Sequence, residues 1–188
     1  MFIVNEIFEA KYTKEKSTFL AYLLPIKDYH SHLIYLQKEH KKAAHFVRAT
    51  RIYNEYSQII EHSSDDGEPK GSSGVPVLNV MRGNELVDCG IIVVRYFGGK
   101  LLGVGGLVRA YTNASLNVIK HSTLLKFEQI TTYTLELPLH KIEMAKYLSK
   151  KLEIDVIHFD FTQNFAIIHI ETNATKIDKF ISALNLQK

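Results

Sequence analysis

Cysteine is all but absent. Cys89 stands alone in 188 residues, so no internal disulfide and no thiolate-based zinc site can form, which fits a reducing compartment. The apolar stretch Gly90 to Val94 beside it predicts a core thiol. Long hydrophobic runs are also missing. None reaches the roughly 18 residues of a membrane span, and Glu6, Glu9 and Lys11 interrupt the first dozen residues, which argues against a signal peptide. These absences predict a cytoplasmic protein with no membrane contact. Charge of one sign is not in large excess: the net value is +3, with 16 basic and 12 acidic residues before Glu128 and 7 and 8 from there on. So mild a tilt permits an RNA partner without arguing for one.

What is present describes a folded chain. With 46% apolar residues it can bury one large core or two small ones, and the pattern breaks near Ser122 to Gln129, predicting domains at 1–125 and 126–188. Strands are expected around Ile3 to Tyr12, Ser17 to Leu24 and Ala44 to Tyr53, with an amphipathic helix from Asp28 between the last two. A polar loop is expected from His62 to Gly74, then a short helix through Pro76 to Met81. Ile91-Ile92-Val93-Val94 lacks alternation, as a strand covered on both faces does, and should be central. A Gly-rich turn then leads into a helix with Leu107, Val108, Tyr111, Ser115 and Val118 at helical spacing. The second unit alternates at Tyr133, Leu135 and Leu137, turns helical from Ile142 to Leu152, and returns to strands at Ile157 to Phe161 and Ala166 to Ile170. Thr175 and Asp178 resemble a capping box before a last helix. The order βαββα is that of a ferredoxin-like half-sandwich lacking its final strand.

Two segments carry chemistry. In the first, Asp65, Asp66 and Glu68 crowd a loop that Gly67, Pro69 and Gly71 keep sharply turned. Adjacent carboxylates repel unless a cation, an arginine or helix N-terminal amides offset them. Three readings follow: a divalent ion such as magnesium or manganese held by these oxygens, without EF-hand spacing; an acidic loop pinned by Arg95 or Arg109; or direct ligand contact, with the three as catalytic candidates. In the second, Arg95-Tyr96-Phe97-Gly98-Gly99-Lys100 runs on to Gly103, Gly105, Gly106, Arg109 and Tyr111. Such a turn can lay backbone N–H groups against an anion, with Arg95, Lys100 and Arg109 as cations. The Walker and dinucleotide templates fail at Leu101 and Val108, and the alternative is that the glycines serve close packing of helix on strand. His45 and Arg48 lie among aromatic residues in a strand pattern that could meet nucleic acid. The remaining histidines show no paired zinc spacing, and no serine has a nucleophile-elbow context.

Ser63-Ser64-Asp65-Asp66-Gly67-Glu68-Pro69, Pro76-Val77-Leu78, Val94-Arg95-Tyr96-Phe97-Gly98-Gly99 and Leu102 through Tyr111 together resemble the YigZ/IMPACT family. The likeness spans Phe8 to Ser122, and the tail resembles the small C-terminal domain of the bacterial members. The resemblance implies an α+β protein, with an N-terminal ribosomal protein S5 domain 2-like domain and a C-terminal ferredoxin-like domain similar to one in elongation factor G. Both point to RNA or the ribosome, by fold analogy alone. Eukaryotic members restrain an activator of a translation-initiation kinase through a further N-terminal domain that this chain is expected to lack. Three functions stay open: a non-catalytic RNA- or ribosome-binding regulator of translation, an enzyme acting on a phosphorylated or nucleotide-like substrate with a divalent metal, and a protein-interaction module with a translation-related partner.

Overall fold

A computed structural model describes residues 1–54, 56 and 58–184, with the backbone alone at 157. The chain divides into two compact units, Met1–Phe127 and Glu128–Lys188. No helix among the described residues is long and apolar enough to cross a membrane.

The first unit is built on strands β1 (Phe2–Ile3), β2 (Phe8–Lys14), β3 (Ser17–Pro25), β4 (His45–Tyr53), β5 (Ile59–Ser64), β6 (Cys89–Tyr96) and β7 (Leu125–Lys126), with helices α1 (Ile26–Glu39), α2 (Gly74–Gly83) and α3 (Gly103–Lys120). Five strands form an antiparallel sheet in the order β2-β3-β6-β4-β5. The non-alternating β6 is its centre, as expected. Cys89, Ile91 and Val93 face the core shared with α2 and α3, while Ile92 and Val94 join the smaller cluster under α1. Burial pushes the Cys89 thiol up to about 12, so it behaves as a small apolar core residue.

Three expectations need correction. The stretch read as one strand from Ile3 splits into β1, which pairs with β7, and β2. His62, Ser63 and Ser64, assigned to a loop, belong to β5. As an edge strand that is mostly exposed, β5 has no apolar alternation to betray it. Lys126 and Phe127 lie past the expected boundary at 125, yet Lys126 pairs with Phe2 and the Phe127 N–H donates to the Met1 carbonyl at 3.0 Å.

The second unit orders β8 (Thr131–Pro138), α4 (Ile142–Leu152), β9 (Asp155–Phe161), β10 (Phe165–Thr172) and α5 (Ala174–Leu184), the βαββα sequence anticipated. Its antiparallel sheet runs β8-β10-β9. Leu137, Ala166, Ile168 and Ile170 on one sheet face pack with Ala145, Leu148, Phe180 and Leu184 from the helices, each contributing about 1.5–3 kcal/mol for a large side chain. The cap of α5 is Asn173 rather than Thr175: its Oδ1 accepts the Lys176 N–H at 2.8 Å. The Ile157 side chain, expected in this core, lies outside the described residues. The β9–β10 register shifts at that point, between His169 and Ile170.

Candidate functional site

The acidic loop sends each of its carboxylates to a different place. Asp65 reaches the start of α2, where its oxygens accept from the Gly71 N–H at 2.7 Å, the Ser73 hydroxyl at 2.7 Å, the Ser73 N–H at 3.1 Å and the Gly74 N–H at 2.8 Å. No side chain from the ordinary cap position serves α2, so Asp65 does that work from nine residues upstream. Burial opposes its charge, but the Gly71 amide, the Ser73 hydroxyl and the other amides outweigh it and hold the carboxyl below the usual 3.8. Asp65→Ala is expected to cost about 2–3 kcal/mol at neutral pH. Because the folded-state value is depressed, that contribution is full above the ordinary carboxylate range and is lost as pH falls through the folded value. Melting curves of the variant and the parent should converge in acid and separate above pH ~5.

Asp66 closes the edge of the sheet. Arg48 pairs with Ser64, the last residue of β5, and beyond it the strand partner of β4 is missing. The Asp66 carboxylate substitutes for that partner, accepting the Phe46 N–H at 2.7 Å and an Arg48 Nη1 at 3.3 Å, while its carbonyl meets His45 Nδ1 at 2.8 Å. Asp66 and Gly67 take φ of 46° and 87° to make this turn.

Glu68 goes inward. Its side chain is 4% exposed, as is that of its partner Arg95 at 5%, and their contact is 2.5 Å. The Tyr111 hydroxyl donates to the same carboxylate oxygen at 2.7 Å, and His45 Nε2 stands 3.8 Å from the other. Burial first, then Glu68, drives the Tyr111 phenol far above its ordinary value, so it remains a neutral donor. The Arg95 guanidinium also lies over the Phe19 and Phe97 rings at 5.6 and 5.7 Å. This node ties the loop to β6 and α3 through the core.

The Gly-rich turn between β6 and α3 is mostly exposed. Gly98 has no room for a Cβ, which would lie 2.1–2.4 Å from the backbone of Lys16 and Ser17. The Gly98 N–H donates to the Ser17 hydroxyl at 3.1 Å. Lys16 and Glu15 form the two-residue β2–β3 turn with φ of 62° and 48°, the geometry favoured in hairpins. The glycine therefore docks the turn on the hairpin tip, and Lys100 meets Glu15 at 2.8 Å. A groove of about 360 Å³ results, lined by Tyr12, Lys14, Glu15, Lys100, Arg109 and Asn113 among others. Three cations against one carboxylate leave two positive charges uncompensated. The first turn of α3 has no side-chain cap, and Gly103 enters it at φ 68°. Gly99, at φ 82°, lies in the exposed turn before α3, and Gly105 and Gly106 lie in the first turn of the helix.

The expected site residues thus separate. Lys100 and Arg109 share the groove, with Gly106 in its wall and Gly99, Gly103 and Gly105 along the same turn. Arg95 and Tyr111, expected at a phosphate, are instead buried and committed to Glu68, because alternation turns Arg95 to the core face of β6. Tyr96 turns the opposite way and bonds His40 Nδ1 at 2.8 Å. His45 and Arg48 also lie on opposite faces, His45 against Glu68 and Arg48 beside Tyr29 in an apolar cleft. Arg109 does not pin the loop; Arg95 holds Glu68 and Arg48 holds Asp66. Asp65, Asp66 and Glu68 are not brought within 4.8 Å of one another as a set of metal ligands among the described residues, which removes the basis for magnesium or manganese there. Lys14, Glu15, Tyr12 and Asn113 were missed. Tyr12, Lys14 and Glu15 come from the hairpin, which nothing in their local sequence marks, whereas Asn113 lies one helical turn after Arg109 on the same face of α3.

Comparison with known proteins places this architecture. The family model of the Impact N-terminal domain matches residues 15–119, a span holding the acidic loop, the Gly-rich turn and most of the groove. An IMPACT family member of Haemophilus influenzae is 30% identical over 180 residues, covering 95% of this chain and 86% of the relative. The chain belongs to the IMPACT family. Within that family, YigZ of Escherichia coli is 34% identical over 121 residues, 64% of this chain and 59% of YigZ. A solved structure of a hypothetical protein matches with a TM-score of 0.71 at 27% identity, over 97% of this chain and 90% of the other. The likeness to the Haemophilus influenzae family member thus extends through both units.

Proposed function

We propose that this IMPACT family protein is a non-catalytic regulator of translation that binds RNA or the ribosome, with the groove between the β2–β3 hairpin and α3 as its phosphate contact. The carrying observation is the cationic set Lys14, Lys100 and Arg109 around an uncapped helix start. Arg109 is exposed and has no salt bridge or hydrogen bond among the described residues, so it is available to an incoming anion. The acidic loop supports a scaffold role over a catalytic one, since its carboxylates are already bonded to backbone amides, Arg48, Arg95 and Tyr111.

Co-sedimentation with ribosomes and total RNA across a salt series tests the reading. Three phosphate contacts give a log–log salt slope of roughly −2 to −3. Arg109→Ala should make the slope shallower by about 1 and weaken binding at every sequence, while leaving the melting temperature unchanged. Absence of co-sedimentation at low salt, or a variant that binds like the parent, overturns it.

A further inference from the structure

The second unit carries a side-chain cluster that lies outside the groove and the acidic loop. Strand register assembles it. His158 and Asp160 are two apart on β9 and so share a face, the one opposite α4 and α5. His169 of β10 stands directly across from His158, and Thr134 of β8 directly across from His169. His158 Nε2 lies 3.0 Å and His169 Nε2 3.2 Å from the same Asp160 Oδ2. The imidazoles stack with centroids 4.3 Å apart and planes 12° from parallel. Thr134 Oγ1 is 3.2 Å from His169 Nδ1.

We propose that His158, Asp160 and His169 form a binding site for a divalent transition-metal ion of the zinc class. Two imidazole nitrogens and one carboxylate oxygen are the mixed donor set that suits zinc and its neighbours, whereas calcium and magnesium ask for oxygen alone. The ligand atoms all lie within 4.8 Å of one another, and no other group of side chains among the described residues converges this way. Zinc bonds of about 2.0–2.2 Å put tetrahedral ligands roughly 3.3–3.5 Å apart, so the two nitrogen-to-Asp160 spacings of 3.0 and 3.2 Å need to widen only by a few tenths of an ångström, while the stacked rings must tilt apart to aim both lone pairs at one ion. Adjacent strands hold the two histidines in register, which lowers the ordering cost of binding.

The surrounding groups fit the same role. Each Nε2 now points at Asp160. When an ion takes the Nε2 lone pairs, the ring protons sit on Nδ1, and Thr134 Oγ1 accepts the one from His169, the outer hydrogen bond that ligating histidines ordinarily make. His158 and Asp160 are 52% and 58% exposed, so the fourth position opens to solvent and would hold water or a partner's ligand. An ion pair this exposed contributes little to stability without a metal.

Titration of the metal-free full chain with zinc chloride, followed by calorimetry, tests the proposal, with cobalt(II) absorption as a geometric readout. The parent should bind one zinc per chain and give the intense visible bands of four-coordinate cobalt. His158→Gln and His169→Gln should each weaken zinc at least tenfold and abolish those bands. Thr134→Val should weaken it by about tenfold. All three sites lie on the open sheet face, so circular dichroism should be unchanged. A parent with no saturable zinc binding, or one whose zinc affinity survives in both histidine variants, overturns the assignment.

Discussion

Arg95→Ala is expected to lower the stability of the first unit by about 3–5 kcal/mol, the range seen when one partner of a buried ion pair is removed. The reason lies in what remains. Glu68, at 4% exposure, would be left with only the Tyr111 hydroxyl, at 2.7 Å, and the edge of His45, 3.8 Å away, as polar partners. The Phe19 and Phe97 rings would also lose the guanidinium that lies over them. A melting-point loss on the order of 10 °C follows for a unit of this size. Arg95→Lys should recover little, because an ammonium cannot reproduce a planar guanidinium wedged between two rings. Removing both charges together, as Glu68→Gln with Arg95→Met, should cost less than the sum of the single changes by at least ~1 kcal/mol. Thermal melts of the four proteins provide that cycle; strict additivity would mean that the two groups do not sense each other.

The second large effect is expected at Gly98. A Cβ there would meet the backbone of Lys16 and Ser17 at 2.1–2.4 Å, and backbone cannot swing aside as a flexible side chain can. Gly98→Ala must separate the Gly-rich turn from the β2–β3 hairpin, costing about 3 kcal/mol. It must also break the Gly98 N–H bond to the buried Ser17 hydroxyl. Unlike Arg95→Ala, it acts on the groove, because the same docking sets Lys100 beside Glu15 and Lys14. Salt-dependent RNA binding should fall with it even where the protein remains folded. Gly105→Ala is the matched control: its Cβ would meet only the Arg109 Nη1 at 3.7 Å, so stability should change by less than about 1 kcal/mol.

Legibility differed between the two units' cores and their polar sites for a physical reason. Strands and helices that bury a face announce themselves through period, as Ile91 to Val94 and the Leu107-Tyr111-Val118 stripe do. The edge strand β5 buries almost nothing and therefore read as loop. Polar partnerships depend on which face a residue takes and on what another segment brings to it. Arg95 read both as a phosphate contact beside Lys100 and as a pin for the acidic loop, and only the strand alternation of β6, which sends it inward to Glu68, decides between them. The absence of paired zinc spacing spoke against the histidine cluster, because His158 and His169 are eleven apart in sequence and adjacent only through the β9–β10 register.

The sequence by itself determined the family, the α+β class, the βαββα order of the second unit and the centrality of β6, since these rest on long motifs and on hydrophobic periodicity. Tertiary structure alone decided the rest. It separated Asp65, Asp66 and Glu68 onto a helix start, a sheet edge and a buried arginine. It also brought the hairpin lysine Lys14 to Arg109 and stacked two histidines over one carboxylate. Side-chain chemistry is written residue by residue, but proximity between distant segments is set by strand register and turn geometry, which local pattern does not encode.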